Sequence, residues 1–245
     1  AYMALVQCLE RSAFDVQEDR LIQLGDVADG YPDVYECVEK LLDMDRLIAI
    51  KGNHDEWFER FILYDWHPTF FSQGGISTAV SYMKRANLGK KNYSSTGYGF
   101  KTALTKSNIP FEHRKFFTKT QRLHFIDNDN RCFVHGGFNR FEPFKDQKEE
   151  RYYWDRELWQ DALNHVALEQ EGRLENEFIC KTEFKEIYIG HTTTTKWHTD
   201  KPMRALNIFN LDTGAGHNGR LTIMNVDTKG YWQSDPVGEL YEHRI

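Results

Sequence analysis

Two short apolar runs, each ending in glycine and polar residues, constrain the fold of this chain more than any other feature of its sequence. Residues 21–24 lead into Gly25-Asp26, and residues 47–50 lead into Gly52-Asn53-His54. Between them, residues 33–44 carry apolar side chains at helical spacing. The order strand, helix, strand predicts a right-handed crossover between parallel neighbouring strands, so both polar clusters lie at one edge of a sheet.

Later apolar runs repeat this arrangement. They span residues 132–134, 187–189 and 206–209, and glycine and polar residues follow each of them closely. Residues 220–226 and 230–233 are also rich in strand formers, and their short connection is typical of an antiparallel hairpin. Residues 155–169 predict a further helix. We therefore predict an α/β protein with two packed mixed β-sheets flanked by helices.

Length and charge limit the domain organisation and the partners. The 245 residues are enough for one large domain with its own core, which we predict to span residues 1–245. Between about residues 70 and 130 the apolar pattern weakens, and we interpret this stretch as a cap-like insertion. The formal net charge of −6 has the wrong sign for nucleic-acid binding through bulk charge.

The sequence also carries expectations about the compartment. Its four cysteines form no C-x-x-C pair, so neither a zinc knuckle nor a disulfide framework is indicated. No apolar run approaches the roughly 20 residues of a membrane span, and no secretion signal opens the chain. We expect a cytoplasmic protein without membrane partners.

Four residues of the kind that bind metal ions follow predicted strands. They are Asp26, Asn53, His135 and His191. One carboxylate, one amide and two imidazoles, without a thiolate, favour a divalent ion such as Mn, Fe or Zn. Each fragment alone is weak evidence, because a histidine at a strand end is commonly structural and Gly-Asp is commonly a turn. Their shared position at strand ends predicts a single metal centre.

These motifs resemble those of the calcineurin-like metallophosphoesterases, and within them the bacterial branch of the phosphoprotein phosphatases. The matching pieces, in the family's order, are Gly25-Asp26-Val27-Ala28-Asp29, Gly52-Asn53-His54-Asp55, Val134-His135-Gly136-Gly137 and Gly190-His191-Thr192. The resemblance implies the family's four-layer α/β/β/α fold. It also implies a centre of two divalent metal ions, with Mn as the first expectation and Fe or Zn as alternatives.

The resemblance implies roles for the residues of these motifs. The implied metal ligands are Asp26, Asn53, His135 and His191. Asp26 would bridge the two ions, and His54 would be the general acid that protonates the departing oxygen. Asp29 would hold His54 in the required tautomer. Asp55 either supports this network or is a solvated loop carboxylate.

Candidate substrate-binding residues come from weaker matches. Arg156 resembles a family arginine that grips phosphate, and Arg140 is a second candidate, with a solvated surface charge as its alternative. His217 lies in a glycine-rich loop, where substrate contact and plain exposure are equally open. Family members usually carry an arginine where this chain has Gly30. The run Tyr152-Tyr153-Trp154 serves either as a leaving-group platform or in packing.

The family's opening motif, Asp-x-His-Gly, supplies ligands of the first metal and is followed by a helix that residues 1–10 resemble. We expect that motif to precede Ala1 in the full protein. The leading hypothesis is a dinuclear phosphoesterase that hydrolyses phosphomonoesters of proteins or small molecules by direct attack of metal-bound hydroxide, as a serine/threonine phosphatase does.

Two alternatives to this hypothesis stay open. The first is a symmetrical dinucleoside tetraphosphate hydrolase, which Gly30 and the predicted insertion do not exclude. The second is a non-catalytic scaffold that binds a phosphoryl ligand. The missing first motif favours the scaffold, whereas the pair of His54 and Asp29 argues against it, because a binding protein needs no proton donor. The sequence predicts no oligomeric state.

Overall fold

The computed structural model describes residues 1–66, 73–89, 93–96, 99–174 and 176–241. The helices in these ranges are α1 (Tyr2–Arg11), α2 (Val34–Leu42), α3 (Asn53–Tyr64), α4 (Gly75–Arg85), α5 (Phe111–Lys115), α6 (Glu149–Trp154), α7 (Glu157–Gln170) and α8 (Val237–Leu240). The strands are β1 (Leu21–Gln23), β2 (Leu47–Ala49), β3 (Tyr93–Thr96), β4 (Gly99–Thr102), β5 (His124–Ile126), β6 (Arg131–Val134), β7 (Glu186–Ile189), β8 (Met203–Ala205), β9 (Ile208–Asn210), β10 (Thr222–Met224) and β11 (Tyr231–Gln233). Among the described helices, none combines the length and apolarity that a membrane crossing requires.

The first crossover has the predicted form. β1 and β2 pair in parallel, with Leu21 opposite Leu47, and α2 connects them along the chain. The buried residues of α2 are Val34, Cys37, Val38 and Leu41. These four positions repeat at helical spacing, so one stripe of the helix packs into the core while the other faces carry charge. The parallel pair brings the residues after β1 and β2 to the same edge.

The second sheet has the strand order β5-β6-β7-β9-β8. Its three central strands run parallel, and the two edge strands are antiparallel to their neighbours. Phe133, Tyr188 and Phe209 lie side by side on the central strands, and their rings stack at centroid distances of 4.9 and 5.1 Å. Ile22 of β1 and Met224 of β10 pack against this aromatic row. The prediction of two packed sheets is therefore confirmed.

The alternate residues of the same strands face a layer of helix. Cys132 and Val134 of β6 share a core with Leu158 and Trp159 of α7, because successive side chains of a strand point to opposite faces. The predicted helix over residues 155–169 corresponds to α7. On the far side of β1 and β2, α2, α3 and α4 form the other outer layer around a separate core. The fold is thus α/β/β/α, as the family resemblance implies.

The described parts of the stretch between residues 70 and 130 hold α4, the β3–β4 hairpin, α5 and, near its end, the edge strand β5 of the five-stranded sheet. Tyr82 and Phe116 are fully buried in the same core as Phe58 of α3. Apolar spacing did not predict α4, because its buried face includes the polar residues Ser77 and Thr78. Residues 67–72, 90–92 and 97–98 lie outside the described part of the chain. Whether this stretch is a cap-like insertion in a single domain stays a prediction.

A buried histidine connects three helices of this region. The Nδ1 atom of His113 on α5 lies 2.9 Å from Tyr82 Oη on α4, and its Nε2 atom contacts the carboxylate of Glu39 on α2. The Nε2–H tautomer satisfies both contacts, since it donates to Glu39 and accepts from Tyr82. Burial lowers the pKa of His113 and outweighs the opposing effect of Glu39, whose side chain is 54% exposed. The folded protein therefore favours the neutral imidazole.

This lowered pKa predicts a loss of stability in mild acid. The unfolded state binds a proton at His113 more readily, so its contribution to stability is full above about pH 6.5 and is lost as the pH falls below that value. We expect the free energy of unfolding to fall less between pH 7.5 and 5.5 in His113→Gln than in the wild type, measured by urea denaturation. Equal changes in the two proteins would contradict the assignment.

Candidate active site

The chain brings its candidate metal ligands to one place through the ends of parallel strands. Asp26 follows β1, Asn53 opens α3 after β2, His135 follows β6 and His191 follows β7. A ligand atom from each of Asp26, His135 and His191 lies within 4.8 Å of the others. Asn53 joins them, with its Oδ1 atom 3.2 Å from His135 Nε2. All four residues predicted from the sequence as ligands therefore meet in one cluster.

The orientation of His135 is fixed by the backbone of the other sheet. Its Nδ1 atom donates a hydrogen bond to the carbonyl of Leu24 over 2.6 Å. Its Nε2 atom therefore faces two oxygens, Oδ2 of Asp26 and Oδ1 of Asn53, each at 3.2 Å. In the neutral ring all three atoms are acceptors, so a cation or a proton has to lie among them. That requirement fits a metal site.

His191 supplies a second indication that the cluster fits a cation. Its Nε2 atom is buried and has no hydrogen-bond partner among the described residues. Burial, together with His135 and Arg156, lowers the pKa of His191 to about 3. The ring is thus neutral at physiological pH, and its buried Nε2 atom can serve as an acceptor. A buried imidazole acceptor of this kind, next to a carboxylate and an amide, fits a divalent metal ion.

The charges of the cluster favour an ionised carboxylate. Burial opposes the charge of Asp26, but the imidazoles of His135 and His54 lower its pKa below the usual range. The Asp26 side chain is 29% exposed, so the cluster is open to solvent on one side. The backbone N–H of His54 also donates to Asp26 Oδ1 over 3.0 Å, at the N-terminus of α3. An anionic ligand is therefore available at this strand end.

Two glycines allow the loops to approach one another. A Cβ atom at Gly25 would lie 2.3 Å from His135 Nδ1, and one at Gly52 would lie 2.1 Å from Asp26 Oδ1. Gly25 also has a φ of +95°, which side chains of L-residues rarely permit. Larger residues at either position would push the donor atoms apart.

Asp55 is a buried structural residue of the site. Its carboxylate accepts hydrogen bonds from the backbone N–H groups of Asp26, Ala28 and Gly52 at 2.8 to 3.0 Å, and from Gln121 Nε2 at 2.9 Å. Its side chain is fully buried, so the alternative of a solvated loop carboxylate is wrong. Burial and the charge of Asp26 raise the pKa of Asp55 to about 6. The four donors compensate for burying this carboxylate.

The candidate proton donor is held by a chain of hydrogen bonds. His54 Nδ1 lies 2.8 Å from Asp29 Oδ2. Thr78 Oγ1 donates to Asp29 Oδ1 over 2.6 Å and accepts from the Asp29 backbone N–H over 2.8 Å. Burial opposes protonation of His54, but Asp26 and Asp29 raise its pKa to about 9. Sequence reasoning missed Thr78, because no motif connects this threonine of α4 with the loop after β1.

The two candidate arginines have different surroundings. Arg156 is exposed just before α7 and is close enough to His191 to lower the pKa of that residue. The guanidinium of Arg140 instead donates to Asp161 Oδ2 and to the carbonyl of Ile179, each over 2.8 Å. Its side chain is only 18% exposed, so a solvated surface charge does not describe it either. The structure does not bring Arg140 into the cluster, and the predicted phosphate contact finds no support there.

His217 and Gly30 lie in two loops that pack together. His217 is exposed, and its backbone carbonyl accepts a hydrogen bond from Tyr31 Oη. A Cβ atom at Gly30 would lie 3.3 Å from the carbonyl oxygen of Gly216, and Gly30 has a φ of +84°. The place of the family's arginine is thus beside the glycine-rich loop. Substrate contact by His217 stays a prediction.

Fold and site together define a metal-dependent hydrolase of phosphoesters. The sequence profile described as calcineurin-like phosphoesterase matches residues 2–194, and the chain belongs to that family. Divalent metal ions are the cofactors that this family implies, in agreement with the cluster of Asp26, His135 and His191.

Individual relatives are distant. The chain is similar to the symmetrical bis(5'-nucleosyl)-tetraphosphatase of Pseudomonas fluorescens (strain SBW25), at 24% identity over 260 aligned positions; the alignment covers 90% of this chain and 86% of that protein. A crystal structure provisionally described as a diadenosine tetraphosphatase has a TM-score of 0.58 at 14% identity, covering 94% of this chain and 86% of the other. The cold-active protein-tyrosine phosphatase of a psychrophilic Shewanella species has a TM-score of 0.52 at 13% identity, covering 96% and 77%. The two structures support the fold alone.

Thr78 provides a test of the hydrogen-bond chain behind His54. In Thr78→Val the backbone N–H of Asp29 loses its acceptor and the carboxylate loses its donor. We expect kcat to fall about tenfold or more with little change in KM or metal content, as for other residues that orient a functional group. Stability should fall by about 1–3 kcal/mol. Thr78→Ser restores the hydroxyl and should recover kcat, whereas a fully active Thr78→Val protein would contradict this role.

Proposed function

We propose that this protein hydrolyses phosphomonoesters at a centre of two divalent metal ions, with His54 as the proton donor. The observation that carries the proposal is the 2.8 Å pair of His54 and Asp29 next to the cluster of Asp26, His135 and His191. Asp26, Asn53, His135 and His191 would hold one ion, and Asp26 would also contact the second. We propose Mn as the first candidate, with Fe and Zn as alternatives, since oxygen and nitrogen donors without sulfur are compatible with all three.

The metal ions and His54 have different tasks in the proposed reaction. Divalent cations in such a centre supply neutralisation of the phosphate charge and activation of water for attack. His54 then has a defined task, because its Nδ1 atom is engaged by Asp29 and its Nε2 atom is left to act on the substrate. As water adds to phosphorus and the ester P–O bond breaks, the Nε2 proton passes to the departing oxygen.

Asp29 makes His54 suitable for this task. Its carboxylate accepts a hydrogen bond from His54 Nδ1 and raises the pKa of His54, so it favours the protonated imidazolium. Asp29 itself has a raised pKa, mainly because it is buried, so its charge depends on the hydrogen bonds from His54 and Thr78. Arg156 is the cation that we propose for binding the phosphate, since it is exposed beside His191.

A symmetrical dinucleoside tetraphosphate hydrolase is a second candidate. The Pseudomonas relative, which is named for that activity, favours it. The presence of a proton donor favours a phosphomonoester substrate over the tetraphosphate. An alkoxide leaves poorly without a proton, whereas a nucleoside diphosphate leaves readily as an anion. The scaffold alternative has little support, since the chain belongs to a hydrolase family and keeps a positioned proton donor.

Substrate comparison tests the proposal directly. Full-length protein, loaded with Mn²⁺, is assayed with a phosphoserine peptide, with phosphotyrosine and with diadenosine tetraphosphate. We expect kcat/KM for at least one monoester to exceed that for the tetraphosphate. Turnover of the tetraphosphate alone would replace the proposal with the second candidate, and no turnover of any of them would contradict both.

His54→Asn tests the proton donor separately from the metal centre. The variant keeps a polar side chain but has no titratable proton, so we expect turnover to fall about 100-fold or more while metal content stays unchanged. The loss should be larger for an alkyl ester than for p-nitrophenyl phosphate, whose leaving group departs readily without a proton. His198→Asn is the matched control, because His198 is exposed and its left-handed backbone suits asparagine. Equal losses in the two variants would remove His54 from the mechanism.

A further inference from the structure

The aromatic run Tyr152-Tyr153-Trp154 ends beside the candidate metal cluster. Its three residues differ in how far they are exposed to solvent. Tyr152 and Tyr153 are 3% and 5% exposed. Tyr152 Oη donates to the carbonyl of Phe144 in the core between the five-stranded sheet and α7. Trp154 is 42% exposed at the end of α6. The two tyrosines therefore serve in packing, and only the tryptophan of this run offers its ring to a ligand.

Trp154 belongs to an aromatic wall that joins the metal cluster to the proton donor. Its ring centroid lies 5.6 Å from that of His191, with the planes nearly perpendicular at 89°. It lies 5.7 Å from the ring of Trp57, which in turn lies 4.6 Å from the ring of His54. Trp57 is the buried member of this wall, between His54 and Trp154, and Trp154 forms its accessible end.

The position of this wall beside His54 indicates that it would contact the leaving group of the substrate. The group attached to the departing oxygen has to lie next to His54, because that residue delivers the proton. A wall that runs from His54 through Trp57 to Trp154 and His191 therefore borders the space of the leaving group. Indole rings bind planar aromatic groups by stacking, and they do so whether the group is a phenol or a nucleobase.

We propose that Trp154 forms a leaving-group subsite for a planar aromatic group, either a phenyl ring or a nucleobase. This inference rests on the proposed function, because it takes the leaving-group side from the role of His54. Trp154 takes no part in breaking the bond and acts only on selectivity. The phosphoryl group is held at the cluster and by Arg156, while Trp154 contacts the leaving group. Aromatic esters and nucleotides are thereby preferred over alkyl esters.

Binding measurements with matched pairs of stable analogues test the subsite without relying on turnover. The first pair is phenylphosphonate and methylphosphonate. The second is the adenosine phosphonate in which methylene replaces the 5′ ester oxygen, and the corresponding ribose phosphonate. Dissociation constants for the full-length, Mn²⁺-loaded protein are measured by calorimetry for wild type, Trp154→Ala and Trp154→Phe. Trp66→Ala is the control, since Trp66 is 57% exposed and lies beyond the far end of α3, about 18 Å along that helix from Asn53.

The preference for the aromatic member of a pair should fall about three- to tenfold in Trp154→Ala, with most of it kept in Trp154→Phe and all of it in Trp66→Ala. A change in the phenyl pair identifies an aryl ester, and a change in the adenosine pair identifies a nucleotide. Unchanged preferences, or equal losses for both members of each pair, would overturn the subsite. Failure of the proposed function is recognised separately, as wild-type protein that binds these analogues but hydrolyses no phosphoester.

Discussion

The buried carboxylate of Asp55 is the interaction on which the geometry of the site depends. It collects the backbone N–H groups of Asp26, Ala28 and Gly52, and so joins the loop after β1 to the first turn of α3. Asp26 has a φ of 57°, an uncommon value for a residue other than glycine, and the hydrogen bond from its N–H fixes this conformation. Without the carboxylate, three N–H groups would lose their acceptor, and the Asp26 side chain would no longer be directed at the histidines.

The second sheet supplies the other half of the cluster, and the two sheets are held in register by contacts of different kinds. The row of Phe133, Tyr188 and Phe209 packs between the sheets and fixes their separation. The hydrogen bond from His135 Nδ1 to the carbonyl of Leu24 then fixes the rotation of one ligand relative to the other sheet. Apolar packing sets the distance between the layers, and one polar bond sets the direction of a donor atom.

The sequence predicted those parts of the site that depend on local pattern. Short apolar runs located the parallel strands and helical apolar spacing located α2, and the polar residues after the strands predicted the cluster around Asp26. It could not predict Thr78, because the buried face of α4 is partly polar and its contact with Asp29 spans 49 positions of the chain. The position of Arg140 was equally hidden, since its partner Asp161 lies on a helix with no motif of its own. Side chains that act through distant partners leave no local pattern.

The environment of Gly30 limits where phosphate recognition can arise. An arginine there would need a left-handed backbone, at a φ of +84°, and its Cβ atom would lie 3.3 Å from the carbonyl oxygen of Gly216, which would have to shift by a few tenths of an ångström. Tyr31 ties the same loop down through the carbonyl of His217. An arginine at position 30 is therefore disfavoured, chiefly by the left-handed backbone of that residue. Arg156, the cation that we propose for binding the phosphate, lies instead next to His191 and two residues beyond Trp154. Charge and aromatic surface thus lie on one short segment at the junction of α6 and α7, which is why we assign the choice of substrate to that segment.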